Sequence, residues 1–393
     1  MLTKTKKEIY YKNILSNIYY NNLTTRTKLA KKTGLNMATI SLITNELIKE
    51  GLVFEAEKLY GKLGRSQVNL RFNKEGLYSI SLSFNTRKIN GALLSLEPKI
   101  IAKEQIDIEQ PATFEKVLAG LKKLTRNFID NYEIDKKLIW GISIGDYGII
   151  DKHQGTSIRA CDINGWENVP LKKIFENEFQ LPTFVAKAEQ IYLLGEKYFG
   201  TAREYDNASL VLLSSEGIGS AHLINNQLLS TKQGTIGEIG HTKLSDSDKV
   251  CRCGGKGCLE TEIAPSVLVR AFQEELAGDN SSVLAGKESI DFNDLIMAAQ
   301  EGDALTLKLF HRWTDLLGLG IANLVTLFNP DILIFSGMFP DIKTRVMRLL
   351  INKIRIYAFL EATEQLKIVS AHFKEMESLE GGVALVINER LRN

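Results

Sequence analysis

The sequence predicts an α/β protein in two parts. A small winged helix-turn-helix module comes first, followed by a two-lobe body with a cleft between its lobes. Three observations predict this. Residues 1–72 pattern as three short helices and a hairpin, with a marked excess of basic side chains. Beyond them, strands alternate with helices in two similar runs, each opening on a hairpin. In the second run, the stretch Gly237–Glu260 holds three of the four cysteines of the chain and a histidine.

The module is read in order. Residues 5–21 predict a helix, with Ile9, Ile14, Leu15 and Ile18 on one face and lysines between them. Thr24 and Thr25 offer a cap for a short helix, Arg26–Thr33, with Leu29 and Ala30 turned inward. Gly34 ends that helix. Leu35 and Asn36 start a third, with Ile40, Ile43, Leu47 and Ile48 buried and Gly51 as its stop. Two short helices across a glycine turn form the helix-turn-helix pattern. The second of them begins Asn36, Met37, Ala38, Thr39, Ile40, Ser41, a small and polar start that a major groove accommodates. Lys28, Lys31 and Lys32 stand where phosphates would pass. Residues 52–57 and 66–72 alternate as two strands around Gly61 and Gly64, placing Lys62 and Arg65 at the tip of a wing. Residues 1–66 carry 12 Lys and Arg against 5 Glu, whereas the whole chain is only +2. The rest is therefore net acidic, and nucleic-acid contact belongs to the module alone. The competing reading of residues 1–72 is a packing or dimerisation module.

The body follows a short link at residues 73–76. YSISLSF and INGALLSL pair as a hairpin, 113–131 is an amphipathic helix, and LIWGISIG is a buried strand. A helix at Leu171–Phe179, the strand PTFVAK and a helix at Glu189–Phe199 complete the first run. SLVLLSS and SAHLINNQLL form the second hairpin, around Glu216, Gly217, Ile218 and Gly219. Helices at Pro265–Leu276, Phe292–Gln300 and Ala304–Phe328, the strand DILIFSG and a last helix after Gly381-Gly382 close the chain. Two such units fit an actin-like, ribonuclease-H-like body. The expected division is 1–72 for the module, 73–187 with 380–393 for the first lobe, and 188–379 for the second.

His241, Cys251, Cys253 and Cys258 supply one imidazole and three thiolates, the donors of a closed tetrahedral zinc site. Gly254, Gly255 and Gly257 let the chain bend around one point. The bland alternative is three reduced thiols and an unrelated histidine. Glu238 and Glu260 flank the stretch, and a metal that pinned it would fix both carboxylates and the second nitrogen of His241. Such a group suits a polyol or sugar; otherwise the carboxylates are solvated loop charges. No apolar run is long enough to span a bilayer, and the N-terminus lacks the apolar core of a signal peptide. With few cysteines, clustered at a metal-like motif, a cytoplasmic location is expected.

The residues GEIGH followed by CRCGGKGCLE resemble the ROK family, whose name joins repressors, open reading frames and kinases. NGWENVPL at 164–171, LLGEKYFG at 193–200, GIG at 217–219 and NLVTLFNPDILIFSG at 323–337 extend the likeness over nearly the whole chain. EGLVFEAEK and LRFNKEGLYSI look like its xylose-repressor branch. The resemblance implies a sugar-kinase-type body and a structural zinc on His241, Cys251, Cys253 and Cys258. It also implies sugar contacts from Glu238, His241 and Glu260, with the Asn164 loop bordering the same cleft. A family kinase carries an Asp-x-Gly-Gly-Thr loop in its first hairpin, where this chain has Ser83, Phe84, Asn85, Thr86 and Arg87. Glu216 replaces a threonine of the second phosphate loop. Lys187 and Ala188 replace an Asn-Asp pair whose aspartate is the general base. A one-residue shift that made Glu189 the base would cost an alignment gap. No catalytic residue is therefore expected. Lys187 favours an anionic effector if it points into the cleft and is a surface lysine if it does not; a cleft without ligand is the third option.

The expected function is a regulator, most simply a repressor of carbohydrate metabolism. It would bind double-stranded operator DNA as a homodimer or tetramer and sense a sugar or sugar derivative. The alternatives are an active ATP-dependent sugar kinase with an accessory DNA-binding domain, and a regulator controlled by a protein partner.

Overall fold

The structure is a computed structural model describing residues 4–21, 23–59, 67–160, 163–215, 217–278, 281–373 and 379–391. Lys62, Arg65 and Glu216, singled out above, lie outside the described residues.

The head runs α1 (Lys4–Asn21), β1 (Thr24–Thr25), α2 (Arg26–Thr33), α3 (Met37–Lys49), β2 (Val53–Leu59) and β3 (Gln67–Phe72). Its boundaries have local causes. Thr25 Oγ1 accepts from Lys28 N at 3.2 Å to open α2, and Asn36 Oδ1 accepts from Thr39 N at 2.8 Å to open α3. The strands form an antiparallel sheet in the order β1-β3-β2. Ile14, Leu15, Ile18, Leu29, Ile40, Ile43 and Leu47 are buried together. Ile9 is instead 54% exposed. The first turns of α1 reach past the packed core, and Tyr10 and Tyr11 make the contact expected of Ile9. Ile48 is half-buried.

The first lobe contains β4 (Tyr78–Phe84), β5 (Lys88–Ser95), β6 (Ile100–Asp107), α4 (Phe114–Asp130) and β7 (Ile139–Asp146). It continues with β8 (Ile149–Asp151), β9 (Thr156–Arg159), β10 (Glu167–Val169), α5 (Leu171–Phe179) and β11 (Thr183–Lys187). After α6 (Ala188–Tyr198), the second lobe contains β12 (Ala208–Leu213), β13 (Ile218–Ile224), β14 (Gln227–Leu228), α7 (Glu260–Ile263), α8 (Pro265–Leu276), α9 (Phe292–Glu301) and α10 (Ala304–Phe328). It ends with β15 (Ile332–Gly337), α11 (Arg345–Tyr357), α12 (Leu360–Thr363) and β16 (Lys367–Ser370), and α13 (Glu380–Leu391) closes the chain.

The two large sheets share one plan, β6-β5-β4-β7-β11 and β14-β13-β12-β15-β16. In each, an antiparallel meander is extended by two parallel strands. The twofold repetition of the sequence is thus a repetition of topology. Helix α13 returns to the first lobe and packs on α6, β7 and β4. It begins at Glu380, so Gly381 and Gly382 lie inside its first turn. A Cβ on Gly382 would stand 2.2 Å from both Ser81 Oγ and Ser143 Oγ, so only glycine lets the helix sit this close to the sheet.

Head and body share a core. Leu70 and Phe72 of β3 are buried with Trp140 of β7 and with Val383, Val386, Ile387 and Leu391 of α13. The Phe72 and Trp140 rings lie 5.3 Å apart. Ser16 Oγ donates to Leu391 O at 2.8 Å, and the Tyr20 and Tyr198 hydroxyls meet at 3.0 Å. A movement of α13 therefore reaches α1 through packed contacts.

Candidate metal centre and cleft

The knot at 237–260 is tied by its own backbone. Leu259 N donates to Thr242 O and Cys251 N to Gly255 O, while isolated bridges join Lys243 to Cys258 and Val250 to Lys256. Gly254 and Gly257 adopt φ of +85° and +70°, the left-handed turns that bring the thiols round. The ligating atoms of His241, Cys251, Cys253 and Cys258 lie within 4.8 Å of one another. Cys253 Sγ and Cys258 Sγ are 3.6 Å apart, and Cys251 Sγ is 3.5 Å from His241 Nδ1. Tetrahedral zinc, with Zn–S of about 2.3 Å and Zn–N of about 2.0–2.1 Å, needs donor separations of about 3.8 and about 3.6 Å. The donor set fits a metal in number, kind and spacing. Cys251 and Cys258 are buried, and Lys243 Nζ stands 2.8 Å from Cys258 Sγ, placed to offset thiolate charge.

The orientation of His241 separates two sides. Nδ1 faces the thiols, while Nε2 faces Glu238 Oε2 at 3.7 Å. Glu260 does not stand free. It is buried, accepts from Cys251 Sγ at 3.0 Å, and is paired with Arg252 Nε at 3.3 Å. Glu238 is taken as well: its carboxylate forms an ion pair with the Lys187 ammonium.

Lys187 points inward, which settles the orientation the sequence left open. It is only 4% exposed, at the end of β11, and faces Glu238, Glu189 and Asp146. Burial works against its charge, but Glu189, Glu238 and Asp146 outweigh it and hold the ammonium above the ordinary lysine value. One cation among three carboxylates does not invite an anion. Burial pushes Glu189 upward, and its carboxylate lies against the backbone of Gly219. Asn164 stands apart. It is exposed, and its backbone ties the loop to α4 through Phe114 N and Ala112 O.

Sequence reasoning missed Asp146. Burial pushes its carboxyl up to about 6, against bonds from Ser157 and Gly148 N and the field of Lys187. Ser157 donates to Asp146 and accepts from Trp166 Nε1 at 2.7 Å, so the Asn164–Trp166 loop is wired to the cleft through Trp166. An acid ending the buried strand IWGISIGD was the available signal.

The first hairpin turn consumes its own donors. Asn85 Oδ1 accepts from Arg87 N and Lys88 N, both at 2.8 Å. Beside it, a cavity of about 20 Å³ is lined by Ser81, Ser83, Ser143, Ala188 and Tyr192. That is room for about one water.

Paired mixed sheets of one topology, with a cysteine-histidine knot in the second, define a two-unit α/β body, here carrying a helical head. The ROK family profile matches residues 80–389, and the chain belongs to the ROK family. It is 32% identical to a xylose repressor of Caldicellulosiruptor bescii, over 98% of this chain and 97% of the relative. Among solved structures, a ROK family transcriptional regulator, a homolog of the E. coli MLC protein, is similar with a TM-score of 0.84 and 26% identity. That match covers 98% of this chain and 96% of the other. A ROK glucokinase from Streptomyces griseus shares the fold at a TM-score of 0.66 and 22% identity, covering 78% of this chain and 98% of its own.

Proposed function

We propose that this chain is a sugar-responsive transcriptional repressor of carbohydrate metabolism whose kinase-type body is catalytically inactive. The observation that carries the reading is that the similarity to a repressor and to a ROK regulator runs through the head as well as the body. The head is read as a winged helix-turn-helix spanning residues 1–72. Asn36, Met37 and Ala38 are exposed and Thr39 and Ser41 half-buried at the start of α3, with Lys28, Lys31 and Lys32 exposed nearby. Zinc on His241, Cys251, Cys253 and Cys258 is structural, because all four positions are filled by protein. It would hold His241 and Glu238 toward a sugar in the cleft, with Glu260 and Lys187 around them and the Asn164 loop joined to them only through Trp166. Ligand entry requires the Lys187–Glu238 pair to open, which couples binding to the relation of the lobes. No helix among the described residues is long and apolar enough to cross a membrane, and a DNA-binding role places the protein in the cytoplasm.

The rival reading, an active sugar kinase, is tested with a coupled ATP assay over a panel of sugars. Purified protein should show no sugar-dependent turnover. Ala188→Asp alone should not create it, since general-base catalysis contributes only about 10²–10⁴-fold and nucleotide placement is missing besides. Turnover that Glu189→Gln abolishes would reverse the assignment.

A regulator with one recognition helix per chain gains specificity by pairing. The leucines of α10 do not supply that pairing surface, since Leu305, Leu309 and Leu317 are buried in the core of their own lobe. The exposed apolar surface lies beside them, at Leu327, Ile356, Phe359 and Leu360, each at least 63% exposed. We place the dimer contact there. Light scattering should give about twice the 44.0 kDa chain mass, and Ile356→Asp with Phe359→Asp should return a monomer. A wild-type monomer at micromolar concentration contradicts the contact.

A further inference from the structure

A second crevice lies at the other end of β11 from Lys187. Thr183 and Lys187 are four residues apart, about 13 Å along a strand. The crevice encloses about 380 Å³ between the β8–β9 turn, β11, Ser230 of the second lobe and the last turns of α13. Its charged lining is Lys152, Lys172 and Glu389, with His153 beside them. Lys152 Nζ is 2.9 Å from Glu389 Oε1, and its side chain is only 14% exposed. The approach is wrong for a hydrogen bond, and the shielded ammonium has no hydrogen-bond acceptor among the described residues. Lys172 forms no ion pair among the described residues. Buried donors without acceptors are costly, and an anion with several oxygens satisfies them.

We propose that this crevice is a second ligand site, separate from the metal-side cleft, that takes a phosphate group, either as a small phosphate monoester or as the free ion. The phosphate oxygens accept from Lys152 and Lys172 and displace the Glu389 carboxylate. The volume leaves room for a sugar-sized substituent. Glu389 lies on the last turn of α13, between Asn388, which accepts from Tyr198, and Leu391, whose carbonyl accepts from Ser16 of the head. Occupancy therefore bears on the joint between head and body. Binding stands independently of the repressor reading; only its effect on DNA affinity rests on that reading.

The test is calorimetric titration of the full chain at fixed ionic strength, with inorganic phosphate in one arm and glucose 6-phosphate in the other. Lys152→Met should weaken binding at least about 10-fold, the scale of one charge-assisted hydrogen bond. Glu389→Gln should tighten it by removing the competing carboxylate, a gain that misfolding cannot mimic. Glu238→Gln, in the metal-side cleft, should leave it unchanged. Stronger binding of the ester assigns the sugar a share of recognition; equal binding identifies the ion as the ligand. Absence of binding in both arms at millimolar concentration overturns the site. So does binding lost in Glu238→Gln but retained in Lys152→Met. Phosphate binding that depends on Lys152, in a protein that neither binds DNA nor responds to sugar, would sink the repressor reading and leave this site standing.

Discussion

Cys258→Ala should leave the protein without metal and melt it at a markedly lower temperature. Cys258 is fully buried, and its thiol lies 3.6 Å from Cys253 Sγ and 2.8 Å from Lys243 Nζ. Losing one thiolate from a closed site removes most of the affinity, because three remaining donors no longer enclose the ion. The consequence extends beyond the loop. Leu259 and Ile263 pack in the core of the second lobe, and Trp313 Nε1 donates to Ile263 O at 2.8 Å. Structural zinc contributes about 10–16 kcal/mol in isolated finger peptides. Here a folded lobe surrounds the knot, so a smaller net loss of about 3–5 kcal/mol is expected, on the scale of severe single substitutions. For a lobe of this size that is roughly 10 °C in Tm. Metal content by elemental analysis and calorimetric melting check it together. A folded, metal-free variant with unchanged melting and ligand response contradicts the structural role.

Much of the fold was legible because the signals were local. Leu171–Phe179, Pro265–Leu276 and Ala304–Phe328 have the bounds read from the sequence, and the last opens on an Asp303 cap that accepts from Thr306 N. Strand β4, YSISLSF, alternates along its sequence, whereas β5 and β12 are short apolar runs buried along nearly their whole length. Strand β6 was missed because IIAKEQID presents exposed charges along a sheet edge and carries little apolar signal. The small sheet β10-β9-β8 was missed because its strands are three or four residues long, too short for any period to register. Helix α11 has a clear apolar stripe, Val346, Met347, Leu350 and Ile354, and was legible but not read.

The site divides in the same way. Metal donors within one loop can be counted from spacing, and they converge as spacing suggests. The cleft joins residues far apart in sequence, and no local pattern says whether Lys187 turns in or out. That orientation follows from Glu238, 51 residues away. Asp146 becomes relevant only once β11 is laid parallel to β7, with Lys187 beside Asp146 in the register. The continuous core between head and body was equally hidden, since Trp140 and Val386 read as ordinary lobe residues.

The second large effect expected is on DNA. Lys32 is exposed at the end of α2, and Arg65 belongs to the segment between β2 and β3 that the proposal reads as a wing. Reversing both charges, Lys32→Glu with Arg65→Glu, removes about two phosphate contacts and adds repulsion. The slope of log K against log salt should fall by about 2, and affinity by about 100-fold or more near physiological salt. The body should melt unchanged. The most direct measurement is fluorescence anisotropy of the full chain on a duplex selected from a random-sequence pool, with and without each sugar of a panel. Tight binding at about 10⁻⁸ M or below is predicted, weakened about 10-fold by one sugar of the panel. The double reversal should lose binding, and Glu238→Gln should bind DNA but ignore the sugar. A wild-type protein that selects no sequence, or binds one with an affinity that neither the head charges nor any sugar alters, would contradict the account.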